Sequence, residues 1–180
     1  MNSQGAFDDI DWDGWLYNPG PPLITPKYNE TLSVACTDLM NRWLAVSKAE
    51  EATNSFQADD ITKLKSMQIV EFLAQLNFAD SLPVWKLETM DAIYQFSKQR
   101  NSEIRFEWIQ LGLKAKWNAI LPQAFQFLKE QGRMKYTRPI YRSLYAWEET
   151  RNEAIEFFTR QKPFMHPTTA MVAAKELHLS

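Results

Sequence analysis

Cysteine and histidine are nearly missing from this 180-residue chain, which has one Cys and two His. A lone cysteine, Cys36, excludes an internal disulfide and fits a reducing, cytoplasmic setting. The histidines, His166 and His178, are twelve residues apart. That spacing is neither the i, i+4 pair of a zinc-binding helix nor that of a zinc finger. Glycine is also scarce, at five residues, which speaks against a turn-rich β sandwich. No apolar run approaches the ~20 residues needed to span a bilayer, so no membrane partner is expected. Basic and acidic side chains number 20 and 22, a net charge of −2, which leaves no broad surface for nucleic acid. Residues 1–9 are polar and acidic and lack the basic and apolar regions of a secretory leader.

What is present is bulk. Hydrophobic residues make up 45% of the chain, with seven Trp and eleven Phe, far from a disordered composition. That suffices for one domain with a sizeable core. Residues 1–28 read as an extended linker, because Pro19, Gly20, Pro21, Pro22 and Pro26 oppose a helix. Trp12, Trp15, Leu16 and Tyr17 are apolar enough to lie along a domain. Residues 29–180 read as all-helical. Leu32, Ala35, Leu39, Trp43 and Val46 recur at three- and four-residue steps, and Cys36 beside them reads as a small buried hydrophobe. Residues 50–57 read as a polar loop, followed by a short helix over 58–64. Further helices are expected over 67–77 (capped by Ser66), 83–97, 102–117 (capped by Asn101 or Ser102), 121–131, 139–147, 148–162 and 167–177. The total is about eight or nine, joined by short loops.

The most informative stretch is Gln131 to Arg142. It places Arg133, Lys135, Arg138 and Arg142 within ten positions, and no acid occurs from Gln131 to Trp147. Gly132 is suited to stop a helix in the left-handed conformation. Pro139 is suited to start the next one, where a missing N–H costs nothing. Arg133 and Lys135 would then sit on a short connection near a helix start, an arrangement that suits a carboxylate or a phosphate. Charge runs are more often solvated faces, and Arg138 and Arg142, four apart, could simply pair with acids on a neighbouring helix. Composition leaves the two readings open. His166, just before Pro167, reads as a helix-start residue rather than a ligand.

The segment Gly132-Arg133-Met134-Lys135-Tyr136-Thr137-Arg138-Pro139 closely resembles part of the C-terminal helical domain of the leukotriene-A(4) hydrolase family and its aminopeptidase relatives. Asn101 to Phe106 with Trp108, Met165 to Met171, and the linker Trp12 to Pro22 are similar to the same region, in the same order. The resemblance implies a two-layered α-α superhelix, somewhat like armadillo or HEAT arrays. It also implies a zinc aminopeptidase, with or without epoxide hydrolase activity, whose metal lies on a separate catalytic domain. HExxH and GxMEN are absent from this chain, so it should be inactive alone, hold no cofactor and have the parent's catalytic and N-terminal domains as partners. Arg133 would bind the free carboxylate of a peptide or a fatty-acid epoxide, and Lys135 would assist. The alternative is a stand-alone helical adaptor that binds acidic peptides through the same cations. A nucleic-acid module with Tyr136, Tyr141 and Tyr145 among the cations ranks last.

Overall fold

The computed structural model describes residues 8–179. They form two compact units, one ending at Glu30 and the other beginning at Thr31. Most of the polar N-terminal segment read against a secretory leader lies outside the described residues. Among those described there is no strand, and eleven α-helices with short 3-10 turns carry the structure.

The first unit holds α1 (Trp12–Tyr17), in a segment expected to resist helix. The correction has a local cause. Asp11 caps the turn by accepting the Gly14 N–H at 2.9 Å, and the helix closes before Pro19. One turn can therefore precede the prolines without meeting them.

The second unit contains α2 (Thr31–Ala45), α3 (Ala49–Ser55), α4 (Asp59–Thr62), α5 (Ser66–Phe78), α6 (Val84–Tyr94), α7 (Ser102–Lys114), α8 (Leu121–Glu130), α9 (Met134–Ala146), α10 (Arg151–Gln161) and α11 (Pro167–Glu176). Helices α2, α5, α7, α9 and α11 pack one on the next, while α8 lies on α7 and α9 and α10 lies on α9. The result is a two-layered α-α superhelix, as expected. The residues read as a polar loop at 50–57 instead form most of α3, anchored by the fully buried Ala52 and followed by the buried Phe56. That helix and α1 are each too short to show an apolar period, so the count exceeds the expected eight or nine, whereas α4 falls within the short helix expected over 58–64.

Aromatic side chains fill the space between layers. Trp43 stacks on Phe56 with ring centroids 4.0 Å apart, and its indole N–H donates to the Tyr94 hydroxyl at 3.1 Å. Trp108 meets Phe96 and Trp117. Gly112 lets Ile120 approach so closely that a Cβ there would lie 2.5 Å from the Ile120 Cγ1. Lys86 is buried, yet its ammonium donates to the Trp43 and Leu44 carbonyls at 2.6 and 3.0 Å. It thereby supplies donors to the open end of α2, while burial pulls its pKa down. Cys36 is fully buried with its thiol on the Leu32 carbonyl, and burial pushes the thiol pKa up. No chemistry is assigned to it.

The turn from α8 to α9 differs from its sequence reading in two ways. Gly132 has no left-handed φ, and α8 stops because Gln131 is extended. Helix α9 begins at Met134 rather than at Pro139, with Arg133 as its N-cap residue. Pro139 therefore lies inside the helix, where its missing N–H leaves the Lys135 carbonyl without its usual partner. Buried Tyr136, Ile140, Tyr141 and Leu144 outweigh that cost by packing one face of α9 into the core.

Candidate functional site

Two helices bring the expected site residues together. Arg133 and Lys135 stand at the start of α9, and Glu103 stands in the first turn of α7. Tyr136 is the fixed post between them. Its ring is buried against Phe106 and Phe127, at centroid distances of 5.3 and 5.4 Å, and its hydroxyl donates to Glu103 Oε1 at 2.8 Å. Lys135 Nζ donates to the other oxygen, Glu103 Oε2, at 2.6 Å. The Glu103 carboxyl is held below its usual range by the Lys135 bond first, then by Tyr136 and the nearby charge of Arg133. Tyr136 is pushed upward, by burial and by that same carboxylate.

Arg133 differs from its neighbour. Its guanidinium lies 5.4 Å from the Tyr136 ring centroid, in cation–π contact, and the residue is exposed. No carboxylate among the described residues lies within ion-pair distance of it. Its donors thus remain available in the fork geometry that accepts a carboxylate or phosphate. The N-terminal turn of α9 has no side-chain cap and no acid, which favours an anion there.

The other two cations of the run are engaged elsewhere. Arg138 and Arg142 both donate to Glu176 on α11, with Arg142 Nε at 2.7 Å and Nη2 at 2.9 Å. These bonds hold the Glu176 carboxyl down to about 2. The Thr169 hydroxyl, also on α11, donates to the Gly132 carbonyl at 3.2 Å. Helix α11 therefore braces the connection from which Arg133 projects. The reading of Arg138 and Arg142 as ion-pair residues fits, whereas Glu103, Glu176 and Thr169 were not assigned to the site from sequence.

A cleft of about 420 Å³ opens farther along the same face of α7, lined in part by Asn77, Glu107, Gln110, Pro139 and Ser143. Its lining does not include Arg133 or Lys135. Glu107, one turn beyond Glu103, is pushed upward by burial and accepts from Asn77 Nδ2 at 2.9 Å.

The histidines do not assemble a metal site. His166 Nδ1 accepts the Thr168 N–H at 3.2 Å, capping α11, and the His178 ring stacks on Tyr145. Among the described residues, no three His, Cys, Asp or Glu side chains are placed to hold a metal ion. Among the described residues the donor set does not fit zinc. No helix is long and apolar enough to cross a membrane among the described residues.

The family profile described as "Leukotriene A4 hydrolase, C-terminal" matches residues 64–177. The chain belongs to this family. It is similar to leukotriene A-4 hydrolase of Xenopus laevis, 43% identical over 174 residues, covering 97% of this chain and 28% of that protein. Leucine aminopeptidase 2 of Coccidioides immitis (strain RS) is 34% identical over 176 residues, again covering 97% of this chain and 28% of the relative. The solved structure of native leukotriene A4 hydrolase from Saccharomyces cerevisiae superposes with a TM-score of 0.85 at 26% identity, covering 98% of this chain and 30% of that one. The chain thus spans under a third of the length of the relatives it matches. As a member of the leukotriene A4 hydrolase C-terminal family, it corresponds to the C-terminal part of these longer proteins.

Proposed function

We propose that this chain is the carboxylate-anchoring domain of a zinc aminopeptidase, with Arg133 holding the free carboxylate end of the substrate. The observation that carries this is the exposed guanidinium of Arg133, which has no ion-pair partner among the described residues and is braced on a buried tyrosine ring at an uncapped helix start. A carboxylate can take two parallel N–H bonds from that fork. Lys135 assists as a point charge from its pair with Glu103. Fixing one end of a peptide, or of a fatty-acid epoxide, sets the distance from that end to the bond being broken, which is how positioning lowers a barrier. The bond breaking belongs to the parent's catalytic domain. Zinc would be held there, because the residues of this chain do not fit it.

The relatives carry this domain as 28% of their length, which favours the enzyme reading over a free-standing adaptor for acidic peptides. Exposed Phe78 and Phe164 are apolar surface suited to cover by the parent's other domains. The buried, lone Cys36 suits a cytoplasmic enzyme.

The test is Arg133→Ala in the full-length enzyme that carries this domain. With free-acid tripeptides, kcat/KM should fall about 10- to 100-fold, the worth of a charge-assisted hydrogen-bond pair. The same tripeptides ending in an amide should lose much less. Equal losses on both substrates would remove the carboxylate-anchoring role.

A further inference from the structure

Arg133 and Lys135 are not equivalent cations, and the difference lies in Glu103. Its two oxygens are both occupied, one by Lys135 Nζ at 2.6 Å and one by the Tyr136 hydroxyl at 2.8 Å. Tyr136 is 2% exposed and wedged between Phe106 and Phe127, so it cannot swing away to release the carboxylate. Glu103 is additionally fixed at the start of α7, where Asn101 caps the helix by accepting the Glu103 N–H at 2.9 Å. The acid is therefore a built part of the cation site rather than a passing surface partner. Arg133, Lys135 and Glu103 together carry one net positive charge, while Glu107, one turn along α7, lines the separate cleft and accepts from Asn77.

The geometry points to Glu103 as a specificity-determining residue that sets the anion subsite for a single, singly charged carboxylate. This rests on the reading of Arg133 as the carboxylate anchor. One carboxylate on Arg133 brings the local charge to zero, so a second negative group on the same ligand gains nothing from Lys135. Peptides or acyl chains ending in one carboxylate are then taken on their own merits. Ends bearing two, such as a C-terminal Asp, receive no electrostatic preference. Without Glu103 the subsite would carry two free cations and favour dianions.

The experiment uses the 180-residue chain and two ligands of nearly the same shape, N-acetyl-L-asparagine and N-acetyl-L-aspartate, at pH 7 and constant ionic strength. Binding is read from the Arg133 side-chain Nε–H resonance. In the wild type the two ligands should bind with dissociation constants within about 2-fold. In Glu103→Gln, which keeps the size and the Tyr136 contact, aspartate should be favoured by roughly 3- to 10-fold, the effect of one unit charge at ~6 Å in a watery site. In Lys135→Gln the preference should reverse by a similar factor. The double variant, with the original net charge, should return the ratio to near one. A merely structural role for Glu103 would move both affinities together and leave the ratio unchanged, which overturns the inference while sparing the Arg133 assignment. If the Arg133 resonance responds to neither ligand in wild type, the anchor reading fails and this inference with it.

Discussion

Replacing Glu176 by Gln removes the charge that ties α11 to α9. In the native chain this carboxylate is only 13% exposed, and it accepts from Arg138 and Arg142, which are 55% and 57% exposed. Its pKa falls from 4.5 to about 2, chiefly through the Arg142 and Arg138 bonds. A depression of that size is worth about 3 kcal/mol at full strength. Solvent around the half-exposed guanidiniums reduces this to about 1–2 kcal/mol. Because the folded pKa is depressed, the contribution is complete above pH 4.5 and is lost as pH falls toward 2. Thermal melts followed by circular dichroism at 222 nm should show Glu176→Gln melting about 3–6 °C below wild type at pH 7. At pH 3 less than half of that gap should remain, and added salt should narrow it at either pH. A gap of the same size at pH 7 and pH 3 would refute the ionic clamp, and no gap at all would mean that α11 is held by packing alone.

Substitutions at four other positions have equally definite outcomes. Gly112→Ala should cost about 1–3 kcal/mol in chemical denaturation, because its Cβ meets Ile120, whereas Gly132→Ala should stay within about 0.5 kcal/mol, since open space surrounds it and its φ is not left-handed. A cost near 1 kcal/mol at Gly132 would restore the left-handed cap that the structure lacks. Tyr94→Phe should cost about 1–3 kcal/mol, because the fully buried Trp43 indole N–H loses its acceptor; an unchanged denaturation midpoint would show that the bond carries no stability. In the full-length enzyme, Arg133→Lys should recover only part of the activity lost in Arg133→Ala, since an ammonium lacks the two-pronged fork; full recovery would mean that charge alone suffices.

Much of the fold was legible because its signal is periodic. Of the stripe Leu32, Ala35, Leu39, Trp43 and Val46, the last three are buried on and just beyond α2 while Leu32 and Ala35 are exposed, and Asn101 caps α7 as its side chain suggests. What escaped was punctuation. Pro139 reads as a helix start, yet tertiary burial of Tyr136 and Ile140 draws the helix back five residues and moves Lys135 onto its first turn. The left-handed positions that end helices fall on Gln95, Lys116 and His178, none of them a residue that announces such a turn. At the site, the basic run was visible, but which cations are spent was not. Glu176 lies 34 residues from Arg142, and Glu103 lies 32 from Lys135. Only the packing of α9 between α7 and α11 decides that, among the described residues, Arg133 alone of the four has no acid within ion-pair distance.

The most direct test is a crystal structure of the full-length enzyme with a slowly cleaved free-acid tripeptide analogue bound. The expected result has both terminal carboxylate oxygens at about 2.7–2.9 Å from the Arg133 guanidinium nitrogens, with the Lys135–Glu103 pair intact. A bound analogue whose carboxylate lies elsewhere, with Arg133 in solvent or drawn onto an acid of another domain, would contradict the account.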